Sequence, residues 1–392
     1  MLEAYGEGNR LTVPRPQGQE AVEQGLDEPD RSRCEDRENE GRDDAFRQQD
    51  RARGRPRYQR RRDGAMMSGQ TLKDTAKNKK RRIVAHLYGG LGNQLFIFAA
   101  AWTLARRNSA ELCLDASGFW RDSLFRRKFA LNNFEGIKNL KFQKFFILDI
   151  IAKIYSKLIG MFSFLPSKLG PLLCEGSGQQ MKFDNEWNRS NLSSNSTLHV
   201  FGYRQNEDYF KEYTSELREL LTLTFQPSPA LYQFSKTIQA VEAVSVSFRR
   251  QFGVKLNKTA LIPQIDTLDA EYYHKAVSKI CEMITSPVFL CFGDSLDDVD
   301  ALLPSDIKRI IPPRTPDLPS DIRDFWLMLQ CRHFIIANST FSWWAAWLGQ
   351  RSGAVVTCPD VCGLINQVAP ASGWHVIRGI SQNSCLSQFM RV

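Results

Sequence analysis

The sequence predicts an α/β protein built on parallel sheets with helices on both faces. Short runs rich in β-branched and aromatic residues alternate with segments of helical composition; three such runs are AVSVSF (243–248), PVFLCF (287–292) and RHFIIA (332–337). A glycine-rich loop, GGLGNQ (89–94), follows an earlier run and leads into an apolar segment. In such sheets ligands bind beyond the carboxyl ends of the strands, so polar residues at those ends are the candidate functional residues.

The first 82 residues differ in composition from the rest of the chain. They hold 20 Lys and Arg against 16 Asp and Glu and almost no pairs of aliphatic residues, so we expect a disordered polar tail. The remaining 310 residues hold 32 against 27, a balance too small to indicate nucleic-acid binding. No apolar stretch follows Met1, which argues against a secretory signal, and Met66 or Met67 is an alternative translation start.

The nine cysteines show neither a CxxC pair nor a common zinc-binding spacing. We therefore interpret them as reduced thiols of a cytosolic protein.

After the tail, the predicted elements begin with a strand in RRIVAHLY (81–88). A helix is predicted from Leu95 to Arg107, because its last two residues are arginines, which suit the carboxyl end of a helix. AELCLDAS (110–117) predicts the next strand. Together they form a strand–loop–helix–strand unit that opens an N-terminal α/β domain, which we place at residues 83–235.

An apolar insertion lies between about residues 140 and 170 of this domain. Its charged residues, which include Asp149, Lys153 and Lys157, argue against a transmembrane helix. Two interpretations remain: helices that cover the core, or a basic amphipathic surface that rests on a membrane.

The glycine-rich loop contains Gly90-x-Gly92, but Leu95 stands where a dinucleotide-binding loop has its third glycine. The chain also lacks the Gly-Lys-Ser/Thr of a P-loop. One interpretation is a tight turn in which Asn93 caps the following helix. The other is a loop, Gly89 included, whose main chain approaches a ligand while Asn93 and Gln94 supply polar contacts.

A C-terminal domain is predicted at residues 236–392, where GAVVTC (353–358) adds a further strand. Arg249 and Arg250 follow the first strand of this domain, and successive side chains on a strand point to opposite faces. At most one of them therefore faces a given ligand, where a guanidinium suits a phosphate. A solvated basic turn is the alternative.

The segment NSTFSWWAAWL (338–348) places several hydroxyl groups at the start of a predicted helix. Such groups and the free amides of a helix N-terminus suit an anion, whereas the tryptophans are expected in the core. Asp298-x-Asp300, in GDSLDDVD (293–300), is the alternative metal site, although acidic residues are also common at helix starts.

Several segments resemble the ordered blocks of the bacterial α-1,2-fucosyltransferases of glycosyltransferase family 11. They are GGLGNQLFIFAAAWTLARR, FGYRQNEDYF, VSVSFRR, LDAEYYHKAV, FLCFGDSLDD and LMLQCRHFIIANSTFSWWAAWL, which cover roughly residues 83–380 in the right order. The first and last blocks are the specific ones.

This resemblance implies a GT-B-like fold of two Rossmann-type domains that face each other across a cleft. It implies a GDP-β-L-fucose donor, a galactoside acceptor and inversion without a metal or other cofactor. Arg249 and Arg250 would be catalytic and would bind the donor diphosphate. The cleft loop would comprise Gly90, Gly92, Asn93 and Gln94, and the other donor-binding residues would be Asp294, Asn338, Ser339, Thr340, Phe341 and Ser342.

The chain departs from the family at three positions near the arginine pair. Ser247, Gln251 and Phe252 occupy the family's His, Gly and Asp positions, so the resemblance does not assign a general base. Asp266, Asp269 and His274 are candidates by proximity in sequence alone.

The resemblance thus implies a fucosyltransferase that acts on the 2-hydroxyl of a galactose-terminated glycan in O-antigen or exopolysaccharide synthesis. We expect it in the cytoplasm, with a lipid-linked acceptor and peripheral contact with the inner membrane as further expectations, and without a nucleic-acid partner. A catalytically impaired GDP-sugar-binding relative is the second interpretation, and a nucleic-acid-binding protein is the third.

Overall fold

The computed structural model describes most of the chain beyond the predicted tail. The described residues are 81–121, 127–138, 140–142, 146–162, 165–176, 187, 192–249, 255–257, 260–261, 268–293, 295–297, 299–313, 320–360 and 368–378. They belong to one compact unit. Apart from Arg81 and Arg82, the predicted tail lies outside the described residues.

The first of two six-stranded sheets has the order β3-β2-β1-β6-β5-β4. Neighbouring strands are parallel except β4 and β5. The chain winds outward from β1 to β3 and returns beside β1 as β6, so its winding direction reverses between β1 and β6. The strands are β1 (Arg82–His86), β2 (Glu111–Asp115), β3 (Lys141–Phe142), β4 (Lys168–Leu169), β5 (Leu172–Cys174) and β6 (Thr197–Phe201).

Among the described residues, two α-helices accompany this sheet, α1 (Leu91–Arg107) and α2 (Phe146–Met161). α1 starts at Leu91, four residues before the predicted Leu95. Gly92, the last glycine of the loop, is therefore already part of the helix. It is buried along almost its whole length, from Leu91 to Ala105. Short 3-10 helices occupy Ser117–Arg121, Leu131–Asn133, Glu135–Ile137, Glu207–Tyr209 and Lys211–Tyr213.

The second six-stranded sheet has the order β11-β10-β7-β12-β13-β14 and is parallel throughout. Its winding direction reverses between β7 and β12. The strands are β7 (Ala243–Phe248), β10 (Val288–Gly293), β11 (Arg309–Ile310), β12 (His333–Ile335), β13 (Val356–Pro359) and β14 (His375–Ile377), and β8 (Lys255–Asn257) and β9 (Ala260–Leu261) form a separate antiparallel pair.

The helices of the second half alternate with these strands, as the sequence predicts. Two helices come first, α3 (Thr214–Leu220) and α4 (Pro229–Gln239), and the proposed domain boundary at residues 235 and 236 falls within α4. They are followed by α5 (Ala270–Met283), α6 (Val299–Leu302), α7 (Ser320–Met328) and α8 (Thr340–Gly349).

An aromatic core joins the two sheets where α1 packs on α8. Trp343, Trp344 and Trp347 of α8 are fully buried, as predicted for core residues. The ring of Phe96 from α1 lies 4.6 Å from that of Trp343 and 5.1 Å from that of Trp344, measured between centroids. The prediction of two parallel α/β sheets is confirmed.

Two further expectations concern the membrane and the cysteines. Within the described ranges, we find no helix with the length and apolar character needed to traverse a bilayer. The six cysteines found there are unpaired thiols; they are Cys113, Cys174, Cys281, Cys291, Cys331 and Cys358.

Candidate active site

The candidate site lies at the point where the winding of the second sheet reverses. Arg249 directly follows β7, and Ser339 follows the neighbouring strand β12 by four residues. The Nη1 of Arg249 donates a hydrogen bond to the Oγ of Ser339 over 3.1 Å. The fold thus joins two predicted donor-binding residues that are 90 positions apart, at the sheet edge where α/β proteins bind ligands.

Ser339 is also the N-cap residue of α8, with an extended backbone at φ −147° and ψ 128°. Its hydroxyl forms no capping bond with the first turn of the helix but accepts the bond from Arg249 instead. A helix N-terminus carries partial positive charge and exposes backbone N–H donors. Arg249 and the start of α8 therefore present two sources of positive potential side by side.

Other predicted donor-binding residues around α8 have structural contacts. The buried hydroxyl of Ser342 lies 3.2 Å from the carbonyl oxygen of Ala337 and 3.1 Å from that of Ser339, so it bonds to the local backbone, and its contact with the donor stays a prediction. The ring of Phe341 packs edge-on against Phe325 at 5.2 Å between centroids. Asn338 is buried next to Ser339.

The donor-binding candidates Arg250 and Asp294 lie outside the described residues, as does Asp298 of the alternative metal pair. Of the alternative metal pair, Asp300 is described, and its carboxylate forms an ion pair with Arg309 at 2.7 Å. Within the described ranges, we find no grouping of three or more His, Cys, Asp or Glu side chains that could hold a metal ion.

The glycine-rich loop ends in a close contact between α1 and α8. A Cβ atom on Gly92 would lie 2.3 Å from the carbonyl carbon of Thr340 and 2.6 Å from the nitrogen of Phe341. The predicted close approach at Gly92 is therefore to the main chain of α8. Gly90, by contrast, has no atom within 4 Å of the equivalent position, and Gly89 has the left-handed φ of +79° that favours glycine.

The side chains of Asn93 and Gln94 both bond within the protein. Gln94 is fully buried, and its amide donates to the carbonyls of Gly89 and Lys128 and accepts from the N–H of Ala130. Gln94 therefore anchors the loop, and its contact with a ligand stays a prediction.

Asn93 does not cap α1, because the N-cap position is Gly90 and no side chain bonds there. Its Oδ1 accepts a hydrogen bond from Gln205 at 2.9 Å, and the carbonyl of Gln205 accepts from the N–H of Ala369. Asn93 thus ties the start of α1 to the turn after β6 and, through it, to the second half of the chain.

A strained turn after β6 completes the edge of the first sheet, and the sequence did not indicate it as a site. Gly202 has φ +118° and Arg204 φ +54°, so the turn uses two left-handed residues, one of them not a glycine. The carboxylate of Glu175 holds the turn by accepting the N–H groups of Tyr203 and Arg204, at 2.6 and 3.0 Å. Only a known strand register could have placed Glu175 there.

This turn brings Tyr203 next to Tyr88, with ring centroids 4.8 Å apart, where the winding of the first sheet reverses. Burial raises the pKa of Tyr88 well above its usual value, and Tyr203 and Glu175 raise it further. Tyr88 therefore keeps its hydroxyl proton at neutral pH and can act as a hydrogen-bond donor.

A buried polar chain lies behind the same loop. The Nδ1 of His86 lies 2.9 Å from a carboxylate oxygen of Asp115, and its Nε2 lies 3.0 Å from the Nδ1 of His199. Burial lowers the pKa of His199 to about 4, with a contribution from His86, so His199 is unprotonated at neutral pH. Burial by itself would raise the pKa of Asp115, but hydrogen bonds from His86 and Ser117 bring it below its usual value.

The candidate general bases are not brought to the site by any described contact. Asp269 is the N-cap of α5 and accepts the N–H of Tyr272, while His274 is an exposed residue of the same helix. Asp266 lies outside the described residues, as do Gln251 and Phe252. Ser247 is buried near the end of β7, and its hydroxyl has no hydrogen-bond partner within the described part of the chain.

Comparison with known sequences finds one matching family model and two similar proteins from Escherichia coli. Residues 181–363 match the model of glycosyl transferase family 11. An alpha-1,2-colitosyltransferase from Escherichia coli is 28% identical over 288 residues, which cover 71% of this chain and 91% of that protein. The O-antigen biosynthesis glycosyltransferase WbnK, also from Escherichia coli, is 27% identical over 288 residues, which cover 70% and 92%.

Two solved structures align with part of this chain at low TM-scores. NodZ alpha-1,6-fucosyltransferase soaked with GDP-fucose shares 16% identity at a TM-score of 0.35, over 69% of this chain and 93% of that one. A mutant of Arabidopsis thaliana FUT1 in complex with GDP shares 10% identity at a TM-score of 0.38, over 72% and 71%.

Proposed function

We propose that this chain, a bacterial fucosyltransferase-like protein of glycosyltransferase family 11, transfers L-fucose from GDP-β-L-fucose to the 2-hydroxyl of a galactoside. The transfer proceeds with inversion at the fucose anomeric carbon and needs no metal or other cofactor. A galactose-terminated glycan, lipid-linked during O-antigen or exopolysaccharide synthesis, is the proposed acceptor. The α-1,2 linkage in one relative's name supports transfer to a 2-hydroxyl. The O-antigen role in the other relative's name supports a glycan acceptor of that pathway.

The observation that carries the proposal is the bond between Arg249 and Ser339 beside the start of α8. When the bond from fucose to phosphate breaks, negative charge grows on the departing diphosphate. Fixed positive groups stabilise this growing charge more in the transition state than in the bound donor, which lowers the barrier to transfer. A guanidinium carries five N–H donors, so Arg249 can hold Ser339 and still have the capacity to bind phosphate oxygens.

Ser339 has a positioning role in this proposal. Its hydroxyl fixes one edge of the Arg249 guanidinium, while its backbone begins α8. The arginine and the N–H groups of the helix start are thereby held in one arrangement before the donor binds. Such preorganisation avoids the cost of rearranging charged groups during the reaction.

The donor sugar has a second candidate, because one relative is named a colitosyltransferase. Colitose is fucose without its 3-hydroxyl, so the two donors share the GDP group and differ by one polar contact. A site that hydrogen-bonds the 3-hydroxyl rejects the deoxy sugar strongly, whereas an apolar site distinguishes the two only weakly.

The experiment is a donor panel on the full chain with a set of galactosides, read out by mass spectrometry of the product. Product from GDP-fucose with a fucosyl group at the galactose 2-position supports the proposal, and faster transfer from GDP-colitose assigns the second donor. A melting temperature raised by GDP but not by UDP, with no product from either donor, would indicate the catalytically impaired relative. A rise only with oligonucleotide would indicate the nucleic-acid-binding alternative.

A further inference from the structure

We infer that α2 is a docking surface for a membrane that contains anionic lipid. The helix lies against the first sheet on one side and exposes large apolar side chains on another. Four of these form one stripe at positions i, i+4, i+8 and i+11: Ile150 (51% exposed), Ile154 (59%), Leu158 (38%) and Met161 (72%). Such exposure is costly for a helix that only covers a core.

The buried side of α2 satisfies its packing role without this stripe. Ala152 and Ile159 are buried against Leu172 and Cys174 of β5 and Phe201 of β6. On a helical wheel of 100° per residue, these two residues point well over 90° away from Ile154. The helix therefore has one face for the sheet and a separate apolar face that the described residues leave exposed.

Positive charge borders the exposed stripe. Lys153 and Lys157 are exposed and lie next to Ile150 and Ile154 on the edge away from the buried face. In the whole stretch from residue 140 to residue 170 there are five lysines and one aspartate, without glutamate or arginine. An apolar stripe beside lysines is the pattern of a helix that lies in the plane of a membrane surface.

This charge pattern favours lipid over a second copy of the chain. In a symmetric dimer through α2, the same patch would meet itself, so the lysine-bearing edge of one copy would approach the lysine-bearing edge of the other. Such like-charge contacts are unfavourable at a partly desolvated interface. At a bilayer, the lysine stems lie along the apolar region while their ammonium groups reach anionic headgroups.

This docking adds to the proposed activity, because it would hold the enzyme on the surface where a lipid-linked acceptor resides. Binding itself requires neither donor nor acceptor. Its test is therefore independent of whether the transfer reaction has been assigned correctly.

The test is cosedimentation of the full chain with vesicles of phosphatidylcholine, either alone or mixed with phosphatidylglycerol. We expect binding to the mixed vesicles that weakens as salt is added. Ile154→Asp should reduce the partition coefficient by about tenfold or more, since it removes an inserted apolar group and adds a charge. The matched control is Ile311→Asp, because Ile311 is 55% exposed but lies far from α2 in sequence, after β11.

A second pair of variants tests the charge. Lys157→Glu should weaken binding to the mixed vesicles by about tenfold, whereas Lys279→Glu, on α5, should leave it unchanged. Transfer to a soluble galactoside should be unaffected by all four substitutions. Equal vesicle binding by Ile154→Asp and the parent would overturn the inference. It would also be overturned if the parent bound no vesicles but formed a concentration-dependent dimer that Ile154→Asp dissociates.

Discussion

The contact between Gly92 and α8 gives a quantitative prediction about what the glycine-rich loop does. In Gly92→Ala the added Cβ would lie 2.3 and 2.4 Å from the carbonyl carbon and oxygen of Thr340, whereas ordinary contacts begin at 3.4 Å. The two helices must therefore separate locally by about 1 Å, because the opposing atoms are main chain and cannot rotate away. Overpacking of this kind costs roughly 1–3 kcal/mol.

The assay is thermal and urea unfolding of Gly92→Ala, with Gly90→Ala as the matched control. Gly90 has φ −75° and ψ 176°, which any residue adopts, and its Cβ would meet nothing within 4 Å. We expect Gly92→Ala to melt several degrees below the parent, at roughly 2–4 °C per kcal/mol, and Gly90→Ala to melt within about a degree of it. Measurement of transfer on the same samples shows whether displacement of Thr340 also disturbs the site.

Two outcomes would refute this reasoning. A Gly92→Ala protein with parental stability would mean that Gly92 does not make room for α8. Equal destabilisation by Gly90→Ala would mean that the loop is strained at both glycines for a reason other than this contact.

Three further predictions concern the buried histidine, the polar link of the loop and the metal. Between about pH 4 and pH 6.5, stability should rise with pH by up to roughly 3 kcal/mol, because unfolded His199 takes up a proton that the folded protein, with a pKa of about 4, does not. His199→Asn should flatten this dependence of the free energy of unfolding on pH, measured by urea unfolding at several pH values. The control is His274→Asn, which replaces an exposed histidine. An unchanged slope in His199→Asn, or equal flattening in both variants, would contradict the role given to His199. Asn93→Ala should cost about 1 kcal/mol because it breaks the bond to Gln205, and parental stability would show that the bond contributes nothing. Transfer should persist in EDTA, since the proposal assigns charge neutralisation to Arg249 and a helix end; loss on chelation, with recovery on adding manganese, would favour a metal.

Four strands of the second half, β7, β10, β12 and β13, were predictable because each is a short apolar run between polar segments. The other four, β8, β9, β11 and β14, are only two or three residues long and were not predicted. AVSVSF corresponds residue for residue to β7, and PVFLCF is displaced by one residue from β10. The general position of the site was also predictable, since Arg249 and Ser339 each follow a strand and adjacent parallel strands end at one edge. That the two strands are neighbours required the observed order of the sheet.

The internal roles of Asn93 and Gln94 could not be predicted from the sequence. A side chain beside a glycine-rich loop is equally suited to a ligand and to a backbone carbonyl, and only tertiary packing decides between them. The contact of Gly92 with Thr340 spans nearly 250 residues, and the chain from His199 to Asp115 depends on the registers of three strands. Local sequence patterns carry no information about either.

The most direct test of the central claim is steady-state transfer from GDP-fucose by Arg249→Ala, compared with Arg332→Ala. Arg332 directly precedes β12 and forms an ion pair with Glu242, which directly precedes β7. This pair therefore lies at the amino ends of the two strands, whereas Arg249 lies at their carboxyl ends. The account predicts that Arg249→Ala lowers kcat/KM by about a hundredfold, or about 3 kcal/mol, with a parental melting temperature, while Arg332→Ala retains full turnover. Parental turnover by Arg249→Ala, or equal losses in the two variants, would contradict the claim that Arg249 stabilises the departing diphosphate.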